Sequence, residues 1–304
     1  MHSKHVDGSF AAKLDKRNGK AKCKGIRLIN IMCPLGKAVY KHVWSANKHK
    51  RSQFSYAYRS GYRREQAILV QSCVAWKLRK LRKLDPKNAH KYGYVSTMRD
   101  VSNAFPSPSH ASMDRSVRKT CTSSKQCRIL QHRYKHSRMC IRTNLGDGVV
   151  VKPRQGGLQG DTCAAEGFAV LYDETCEEWI HEKSTSGGTI YARMPTDNVN
   201  VDKLVEVGTT LYADDIHEKN VVESASDAKE KVEHSSRILR HKLADKDIAE
   251  NASKAEHIVN MAGALQEQDT NEIRDMFRES EAGDVKSTSR YLGNMSHWQG
   301  KKQV

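Results

Sequence analysis

Apolar and polar residues follow two spacings along the chain, and the helical spacing is clearest over residues 65–83. There, apolar side chains recur every three or four positions, and basic residues gather near the carboxyl end, where the helix dipole favours positive charge. A second helix is predicted to begin near Asp161, which suits an N-cap, and a third covers 226–243. The first 20 residues are polar and basic, and we expect a flexible arm there.

Short strands are predicted between these helices. Apolar residues return at 25–44, which indicates a strand or turn leading into a helix, and 92–99 is typical of a strand that ends at Asp100. Residues 139–152 predict a hairpin with a glycine-containing turn, and 204–222 carry two apolar segments around a pair of adjacent acids, the pattern of a tight hairpin. The mixed order of strands and helices favours an α+β fold over a parallel α/β fold.

The charge of the chain points to a class of partner. The 304 residues include 52 Lys and Arg against 35 Asp and Glu, a formal net charge of +17. Nucleic acid is the leading candidate for a polyanionic partner, because Lys and Arg bind phosphates whatever the base sequence. A membrane surface is the alternative, although no apolar run approaches the roughly 20 residues that span a bilayer.

The beginning of the chain lacks the apolar core of a secretory signal, and its eight cysteines include no CxxC pair. We therefore expect reduced thiols in a nuclear or cytoplasmic protein that is neither secreted nor bound to a membrane. One group invites a zinc site: Cys121, Cys127, His132 and His136. Only four residues separate the second Cys from the first His, so a basic helix that carries these residues by chance is favoured. The oligomeric state stays open.

Four segments in order contain candidate chemistry. They are the acid-led 100–105, the glycine loop 154–161, the acidic hairpin 211–215 and the turn 290–293. Taken singly each signal is weak, because paired acids at a turn are usually solvated and a glycine loop before a helix more often serves packing than anion binding. Three acids flanked by apolar residues and brought to one site would repel one another, and a divalent cation is the usual relief.

The order and spacing of these segments resemble the reverse transcriptase family, especially the enzymes of non-LTR retroelements. The acid before "AF" matches Asp100 and Phe105, the RQG…GD loop matches 154–161, YADD matches 212–215, and YLG matches 291–293. Three further segments match the family's finger stretches and the segment after the catalytic hairpin: Arg27, Ile29 and Lys37; Tyr58-Arg59-Ser60-Gly61 with Glu65-Gln66-Ala67; and Asn251, Lys254 and Glu256. Together they span roughly residues 25–295 in the family's order.

The resemblance implies an RNA-directed DNA polymerase that adds dNTPs to a primer 3′-hydroxyl on an RNA or DNA template. Asp100, Asp214 and Asp215 would hold two Mg²⁺ ions, or Mn²⁺ in their place, and Lys254 would give a proton to the pyrophosphate. Nucleotide binding would fall to Phe105, Arg27, Arg59, Gln155, Gly156 and Tyr212. Template and primer binding would fall to Arg154, Gly160, Tyr291, Leu292 and Gly293.

The resemblance also implies that Phe105 decides which sugar is accepted. By resemblance it lies under the incoming sugar and excludes a 2′-hydroxyl, which favours dNTPs. Without the motif a buried core aromatic is the commoner outcome for a Phe. Its position relative to Asp100 in the matched motif favours the sugar-facing role over a role in the core.

The implied fold is a right-hand polymerase palm, an antiparallel sheet packed on helices, with a fingers subdomain and an absent or truncated thumb. We expect a basic flexible arm at 1–24, fingers at 25–90 and palm at 91–304. Within the palm range, 106–150 is partly fingers and 283–304 is the palm–thumb junction. The chain departs from the family at Arg99 and His217, where apolar residues are usual, and at Thr162, where Pro is usual.

Two other interpretations stay open. One is a retroelement remnant that keeps the fold and the basic surface but only binds nucleic acid, since the thumb that grips a duplex is not matched. The other is an RNA-directed RNA polymerase, which shares acid motifs of this kind. Those enzymes typically carry a GDD-type tip and a small or polar residue where Phe105 stands, so this interpretation ranks third.

Overall fold

A computed structural model describes residues 8–15, 26–47, 50–102, 104–142, 148–195, 202–278, 280, 282–292 and 294–297. The chain divides into two compact units. The first comprises 1–51, 103–172 and 246–248, and the second comprises 52–102, 173–245 and 249–304. The expected division into arm, fingers and palm remains a prediction, because a compact unit is not the same thing as a polymerase subdomain.

The seven helices of the described residues are α1 (Pro34–Ser45), α2 (Arg64–Leu84), α3 (His110–Thr120), α4 (Ser124–Lys135), α5 (Thr162–Lys183), α6 (Ala225–Ala244) and α7 (Gln266–Arg278). The described strands are β1 (Gly8–Asp15), β2 (Ile26–Met32), β3 (Gly93–Arg99), β4 (Val101–Ser102), β5 (Arg138–Arg142), β6 (Gly148–Val151), β7 (Tyr191–Pro195), β8 (Asp202–Glu206), β9 (Thr209–Tyr212), β10 (Asp215–Val222), β11 (Ala249–Glu250), β12 (Glu256–Asn260), β13 (Asp284–Val285), β14 (Thr288–Tyr291) and β15 (Asn294–His297).

The first unit contains a four-stranded sheet in the order β2-β1-β5-β6. Strand β1 pairs antiparallel with β2 and parallel with β5. Part of the expected flexible arm is therefore a strand, a correction to the prediction, and the period-two spacing of Phe10, Ala12 and Leu14 fits it. Helices α1, α3, α4 and α5 share an apolar core that includes Trp44, Val117, Leu130, Tyr134 and Val170.

The second unit is built on a five-stranded sheet, the central sheet, in the order β13-β12-β3-β10-β9. All neighbours are antiparallel except β12 and β13. One face packs on α6 and α7 through a cluster centred on Val95, Val232 and Phe277. The other face packs on α2, where Val74 and Leu78 meet Tyr94 of β3. The expected α+β fold, an antiparallel sheet packed on helices, is confirmed.

Most predicted elements occur close to their predicted bounds. Helix α2 matches 65–83, β3 matches 92–99, and β5 and β6 form the hairpin expected at 139–152, whose turn at 143–147 lies outside the described residues. Helix α5 begins at Thr162 although Pro is usual there in the resembled family. The Asp161 carboxylate accepts a hydrogen bond from the Cys163 amide at 3.1 Å, as an N-cap does.

Arg99, which stands where the resembled family has an apolar residue, lies in the core of the second unit with two acids beside it. Its guanidinium is 2.8 Å from a carboxylate oxygen of Glu250 and 3.4 Å from one of Glu218. Lys183 approaches the other Glu218 oxygen at 2.8 Å. Burial alone would raise the pKa of Glu218, but the charges of Lys183 and Arg99 outweigh it and lower the pKa to about 2. The ion pairs with Glu218 and Glu250 therefore offset the cost of burying the Arg99 charge.

His217, the second departure on this sheet, is also buried, on the opposite face of β10. Its ring meets the edge of Tyr291 at 4.7 Å between centroids, and its Nε2 atom lies 3.2 Å from Nζ of Lys219. Lys219 donates to the side-chain oxygen of Gln71 on α2 at 2.6 Å. The α2 face of the sheet thus has a polar patch beside its apolar contacts.

The described residues bear on two expectations, one about membrane-spanning helices and one about the cysteines. No helix within them combines the length and apolarity that crossing a bilayer requires. The seven cysteines that the structure describes form no disulfide bond with one another. Of the group weighed as a zinc site, Cys121 and Cys127 pack against the core of the first unit, while His132 and His136 stack at 4.4 Å.

Candidate active site

The hairpin of β9 and β10 presents the two adjacent acids. Tyr212 pairs with Asp215 at its end, so Ala213 and Asp214 form a two-residue turn. Ala213 has a φ of +60°, in the left-handed region that non-glycine residues rarely adopt. Such strain is typical of functional sites, and here it lies beside the candidate carboxylates.

The third acid reaches the same edge of the sheet from the neighbouring strand. Strand β3 pairs antiparallel with β10, with Arg99 opposite Ile216. Continuing this register by one residue sets Asp100 beside Asp215. Burial first, and then the charges of Asp214 and Asp100, together raise the pKa of the Asp215 carboxyl to about 6 against the opposing charge of Lys254. The three acids therefore share one electrostatic environment.

Lys254 meets this cluster from a short 3₁₀ helix, Ala252–Lys254. Its Nζ atom lies 2.5 Å from Oδ2 of Asp100, and its side chain is 62% exposed against 20% for Asp100. The amide of Asn251 donates to the carbonyl oxygen of Asp100 at 2.8 Å, and β11 pairs with β4 on the other side of that residue. Backbone and side chain together hold the 251–254 segment against Asp100.

The donor chemistry of this cluster suits a hard divalent cation, because carboxylate oxygens are the preferred ligands of Mg²⁺. Lys254 already supplies one positive charge to Asp100. Within the described residues, no three acid, His or Cys side chains stand close enough together to hold a metal ion as they are arranged here. A cation would therefore have to draw the carboxylates closer together.

The glycine loop belongs to the first unit, where it is bound to the turn that contains Phe105. The amide of Gly156 donates to the carbonyl oxygen of Pro108 at 2.7 Å, and the amide of Gly157 donates to that of Phe105 at 2.8 Å. Gly156 has a φ of +67°, and a Cβ atom there would lie 2.2 Å from Cα of Pro106. Only glycine fits this contact. Two segments that sequence reasoning treated separately therefore form one structural piece.

The far end of the loop is fixed to β2. Asn30 donates to the carbonyl oxygen of Gln159 from its amide at 2.7 Å and from its side chain at 3.0 Å. Gly160 has a φ of +101°, and a Cβ atom there would lie 2.4 Å from the Asn30 carbonyl oxygen. Asn30 was not among the predicted site residues, and a single Asn in a strand gives no pattern that could have indicated it.

Phe105 is half-buried. Its ring meets the edge of Phe168 at 5.6 Å, and Phe168 stacks on Tyr172 at 5.2 Å. The side chain is thus supported from one side by α5 and partly accessible. This arrangement is compatible with the sugar-facing role and with a packing role.

Two of the predicted binding residues, Arg59 and Tyr291, make contacts within the protein. The Arg59 guanidinium donates to the carbonyl oxygens of Ser52 and Ser55 at 2.8 and 3.0 Å and lies 3.8 Å from the centroid of the Tyr62 ring. Tyr291 is buried, and its hydroxyl lies 3.2 Å from that of Thr210. Burial raises the pKa of Tyr291 above its usual range. Any primer contact at the YLG turn would come from the neighbouring residues rather than from this ring.

The other predicted binding residues divide between the units. Arg154 and Gln155 are exposed in the first unit, and Tyr212 and Leu292 are half-buried in the second. Arg27 lies on β2 of the first unit, opposite Leu14. The Arg27 side chain and Gly293 lie outside the described residues. The metal-binding candidates and the glycine loop thus belong to different units.

No protein-family model matches the chain, and no curated protein matches it in sequence. Solved structures do match. Apo telomerase from Candida tropicalis truncated from its C-terminal domain matches with a TM-score of 0.53 and 12% identity over 100% of this chain and 56% of its own. Telomerase from Candida albicans in complex with a TWJ fragment of telomeric RNA matches with a TM-score of 0.53 and 11% identity over 100% of this chain and 49% of its own.

These similarities establish the fold of the chain. Telomerase is related to reverse transcriptases, and this chain has a reverse-transcriptase-like polymerase fold. At such low identity nothing finer follows, and the chain spans about half the length of the telomerases it matches. The expected non-LTR subtype stays a prediction.

Proposed function

We propose that this chain is the core of an RNA-directed DNA polymerase of the non-LTR retroelement type. One observation carries the proposal: Asp100, Asp215 and Lys254 come to one edge of the central sheet from positions as far as 154 residues apart, with Asp214 at the adjacent turn. In the order of the resembled family these are the two palm acids and the lysine of the following segment. A chance cluster would not reproduce that order.

The proposed reaction is phosphoryl transfer to a primer. The 3′-hydroxyl oxygen forms a bond to the α-phosphorus of a dNTP, the bond between that phosphorus and the bridging oxygen breaks, and pyrophosphate leaves. Asp100, Asp214 and Asp215 would hold two Mg²⁺ ions, and the chemistry that such ions would supply is activation of the attacking hydroxyl and neutralisation of the leaving oxygen. Lys254, already beside Asp100, would donate a proton from Nζ to the pyrophosphate.

By the resemblance, Phe105 would select the sugar, and the glycine loop of the same unit would support it. The amide of Gly157 bonds the carbonyl oxygen of Phe105, so the loop and the aromatic residue have a fixed relation within the first unit. Phe168 supports the ring from behind, which would let it act as a rigid wall against a 2′-hydroxyl. Arg154, Gln155 and the loop glycines would bind the template and the nascent pair.

The proposed partners are a primed RNA or DNA template and dNTPs, in the nucleus or cytoplasm. The net charge of +17 supports a polyanionic partner, and the matched telomerase from Candida albicans binds an RNA fragment. These observations suit an active enzyme and a binding-only remnant equally well, so an activity assay is needed to decide.

A primer-extension assay distinguishes the three interpretations. A DNA primer on an RNA template with Mg²⁺ is offered dNTPs or rNTPs, and wild type is compared with Phe105→Ala. We expect wild type to extend with dNTPs only, and the variant to accept rNTPs at least about tenfold better relative to dNTPs, because the steric barrier is gone.

Duplex binding without extension would support the remnant instead. Extension by wild type with rNTPs would support an RNA polymerase. Unchanged sugar selectivity in an active Phe105→Ala variant would remove the role assigned to that residue. Phe105→Tyr serves as the matched control, since it keeps the ring and should keep the selectivity.

A further inference from the structure

Helix α2 has an outer face that no described part of the chain covers. Its inner face is buried against the central sheet through Ala67, Gln71, Val74 and Leu78. At about 100° per residue, the opposite side groups eight exposed side chains within one broad stripe. These residues, the outer face of α2, are Leu69, Ser72, Cys73, Trp76, Lys77, Lys80, Lys83 and Leu84.

Positive charge on this face is unopposed. No acid occurs between Gln66 and Leu84. Asp85, the next acid, accepts hydrogen bonds from Asn88 and begins the following 3₁₀ helix. Within the described residues, the lysines of the outer face form no ion pair. Such a helix face attracts polyanions.

The two arginines of this segment have structural roles. Arg82 donates to the carbonyl oxygens of Tyr92 and Asn260 at 2.7 to 2.8 Å, which joins α2 to the strands beneath it. Arg79 lies close to the buried Tyr94 ring, where its charge lowers the pKa of a phenol that burial raises. The three lysines are therefore the cations that a ligand could reach.

An aromatic ring lies among these lysines. Trp76 is 56% exposed, and the Nζ atom of Lys80 lies 5.2 Å from its ring centroid. Lys77, Lys80 and Lys83 follow one another at about 4.5 Å along the helix axis. An exposed ring beside a row of cations is the combination that binds single-stranded nucleic acid, whose phosphates take the charges and whose unpaired bases stack.

We propose that the outer face of α2 binds single-stranded nucleic acid, with Lys77, Lys80 and Lys83 on the phosphates and Trp76 under a base. A bilayer suits it less well, because a membrane-lying helix needs a wide apolar face and that face of α2 is already buried in the core. A duplex suits it less well too, since its bases have no free face for the ring. The site is separate from the proposed active site and does not depend on polymerase activity.

Fluorescence of Trp76 gives a local readout. Trp44 and Trp179 are buried, and Trp298, which lies outside the described residues, is replaced in a Trp298→Phe background. A 12-nucleotide oligo(U) is titrated without Mg²⁺ or dNTPs. We expect quenching that saturates, and a Lys77→Gln, Lys80→Gln, Lys83→Gln triple variant that weakens it at least about tenfold. The slope of log K against log salt should become less steep by about 2.

A charge-matched control separates the site from net charge. Arg274→Gln, Arg278→Gln and Lys286→Gln together remove three positive charges from exposed or half-buried residues elsewhere in the same unit, and they should leave the quenching midpoint within about twofold. In a second test, Trp76→Ala should weaken binding of a fluorescein-labelled oligo(U) about tenfold in anisotropy. Both helix variants change exposed residues, and circular dichroism checks their folding.

Four results would overturn the proposal. If anisotropy shows that the oligonucleotide binds while the Trp76 fluorescence stays unchanged, the oligonucleotide binds at another surface, such as the proposed active site. An equal loss in the control triple variant would leave only a net-charge effect. Quenching by poly-glutamate or by anionic phosphatidylserine vesicles as strong as by oligo(U) would identify an acidic protein or a membrane as the partner. Equal quenching by a duplex would exclude base stacking.

Discussion

Ala213 has a strained backbone conformation in the candidate active site. Its φ of +60° costs a non-glycine residue roughly 1–2 kcal/mol, because the Cβ atom lies too close to the backbone. A glycine would remove this strain, although it would lose more entropy on folding. The turn therefore stores a modest strain beside the acids, as functional sites often do.

Replacing Ala213 in two directions tests this. Ala213→Gly should raise the free energy of unfolding by about 0.5–1 kcal/mol, and Ala213→Val should lower it by more than about 1 kcal/mol, because a β-branched side chain tolerates positive φ poorly. Urea unfolding of both variants measures the difference. Destabilisation by the glycine together with tolerance of the valine would mean that this turn is not strained.

Asp215 lies in an environment that its adjacency to Asp214 does not predict. Neighbouring side chains on a hairpin point in different directions, so the sequence alone does not set Asp215 beside both other acids. In the folded chain Asp215 is half-buried beside both other acids, and its carboxyl has a clearly raised pKa. Only the folded sheet, with β3 beside β10, could reveal this.

At the scale of elements, the glycine loop and the turn of Phe105 form a single piece. Gly156→Ala should destabilise the first unit by more than about 3 kcal/mol, because it combines positive φ with a 2.2 Å approach to the Pro106 backbone. Gly61→Ala is the matched control: its φ is +79°, but nothing lies within 4 Å of the added Cβ.

The control should cost only about 1 kcal/mol, the backbone contribution alone. Thermal and urea unfolding of the two variants give the comparison. Equal losses at Gly61 and Gly156 would mean that the contact with Pro106 contributes nothing, and the loop would then have no fixed relation to Phe105.

The elements themselves follow from local patterns, and their partners do not. Apolar residues indicated α2, β3 and the β9–β10 hairpin: α2 buries one face, while β3 is buried along its whole length. The pairing of β1 with β5 joins segments about 130 residues apart, and nothing in the polar residues near β1 specifies it. Likewise Arg99 finds its acids 119 and 151 residues further along, so the sequence alone left its burial as an unexplained departure.

Side-chain roles at the site were the hardest to predict. Arg59 suited a triphosphate contact by its motif, and in the structure its Nη1 atom also donates to two carbonyl oxygens of its own loop. Tyr291 suited a surface turn, yet its ring is buried against His217. In both cases the motif indicated the backbone path correctly, and tertiary contacts decided what the side chain does.

At the scale of the whole molecule, the charged groups buried in the central sheet link stability to pH. Burial, and to a lesser degree the charge of Arg79, lowers the pKa of Lys219 to about 7 from the ordinary 10.5. Between these values the unfolded chain binds a proton that the folded chain does not. The free energy of unfolding contributed by this group therefore rises with pH across that window and is lost as pH falls toward 7.

Lys219→Met removes this proton linkage and keeps the length of the side chain. As the pH rises from 7 to 10, the free energy of unfolding of wild type should increase relative to that of the variant by up to about 1.4 kcal/mol for each pH unit. Urea unfolding at pH 7, 8 and 9 measures it. Parallel curves for the two proteins would mean that Lys219 stays protonated in the fold, with Gln71 and His217 sufficient to hold its charge.

We propose that the acids at the edge of the sheet carry out DNA synthesis. Single-turnover incorporation of one dNTP into a primer on an RNA template tests it in wild type, Asp215→Asn and Asp202→Asn, the last being an exposed acid of β8 in the same unit. We expect Asp215→Asn to lose at least about 10³-fold in rate, equivalent to several kcal/mol of transition-state stabilisation, while Asp202→Asn stays within about twofold of wild type. Incorporation by Asp215→Asn at the wild-type rate would contradict the account.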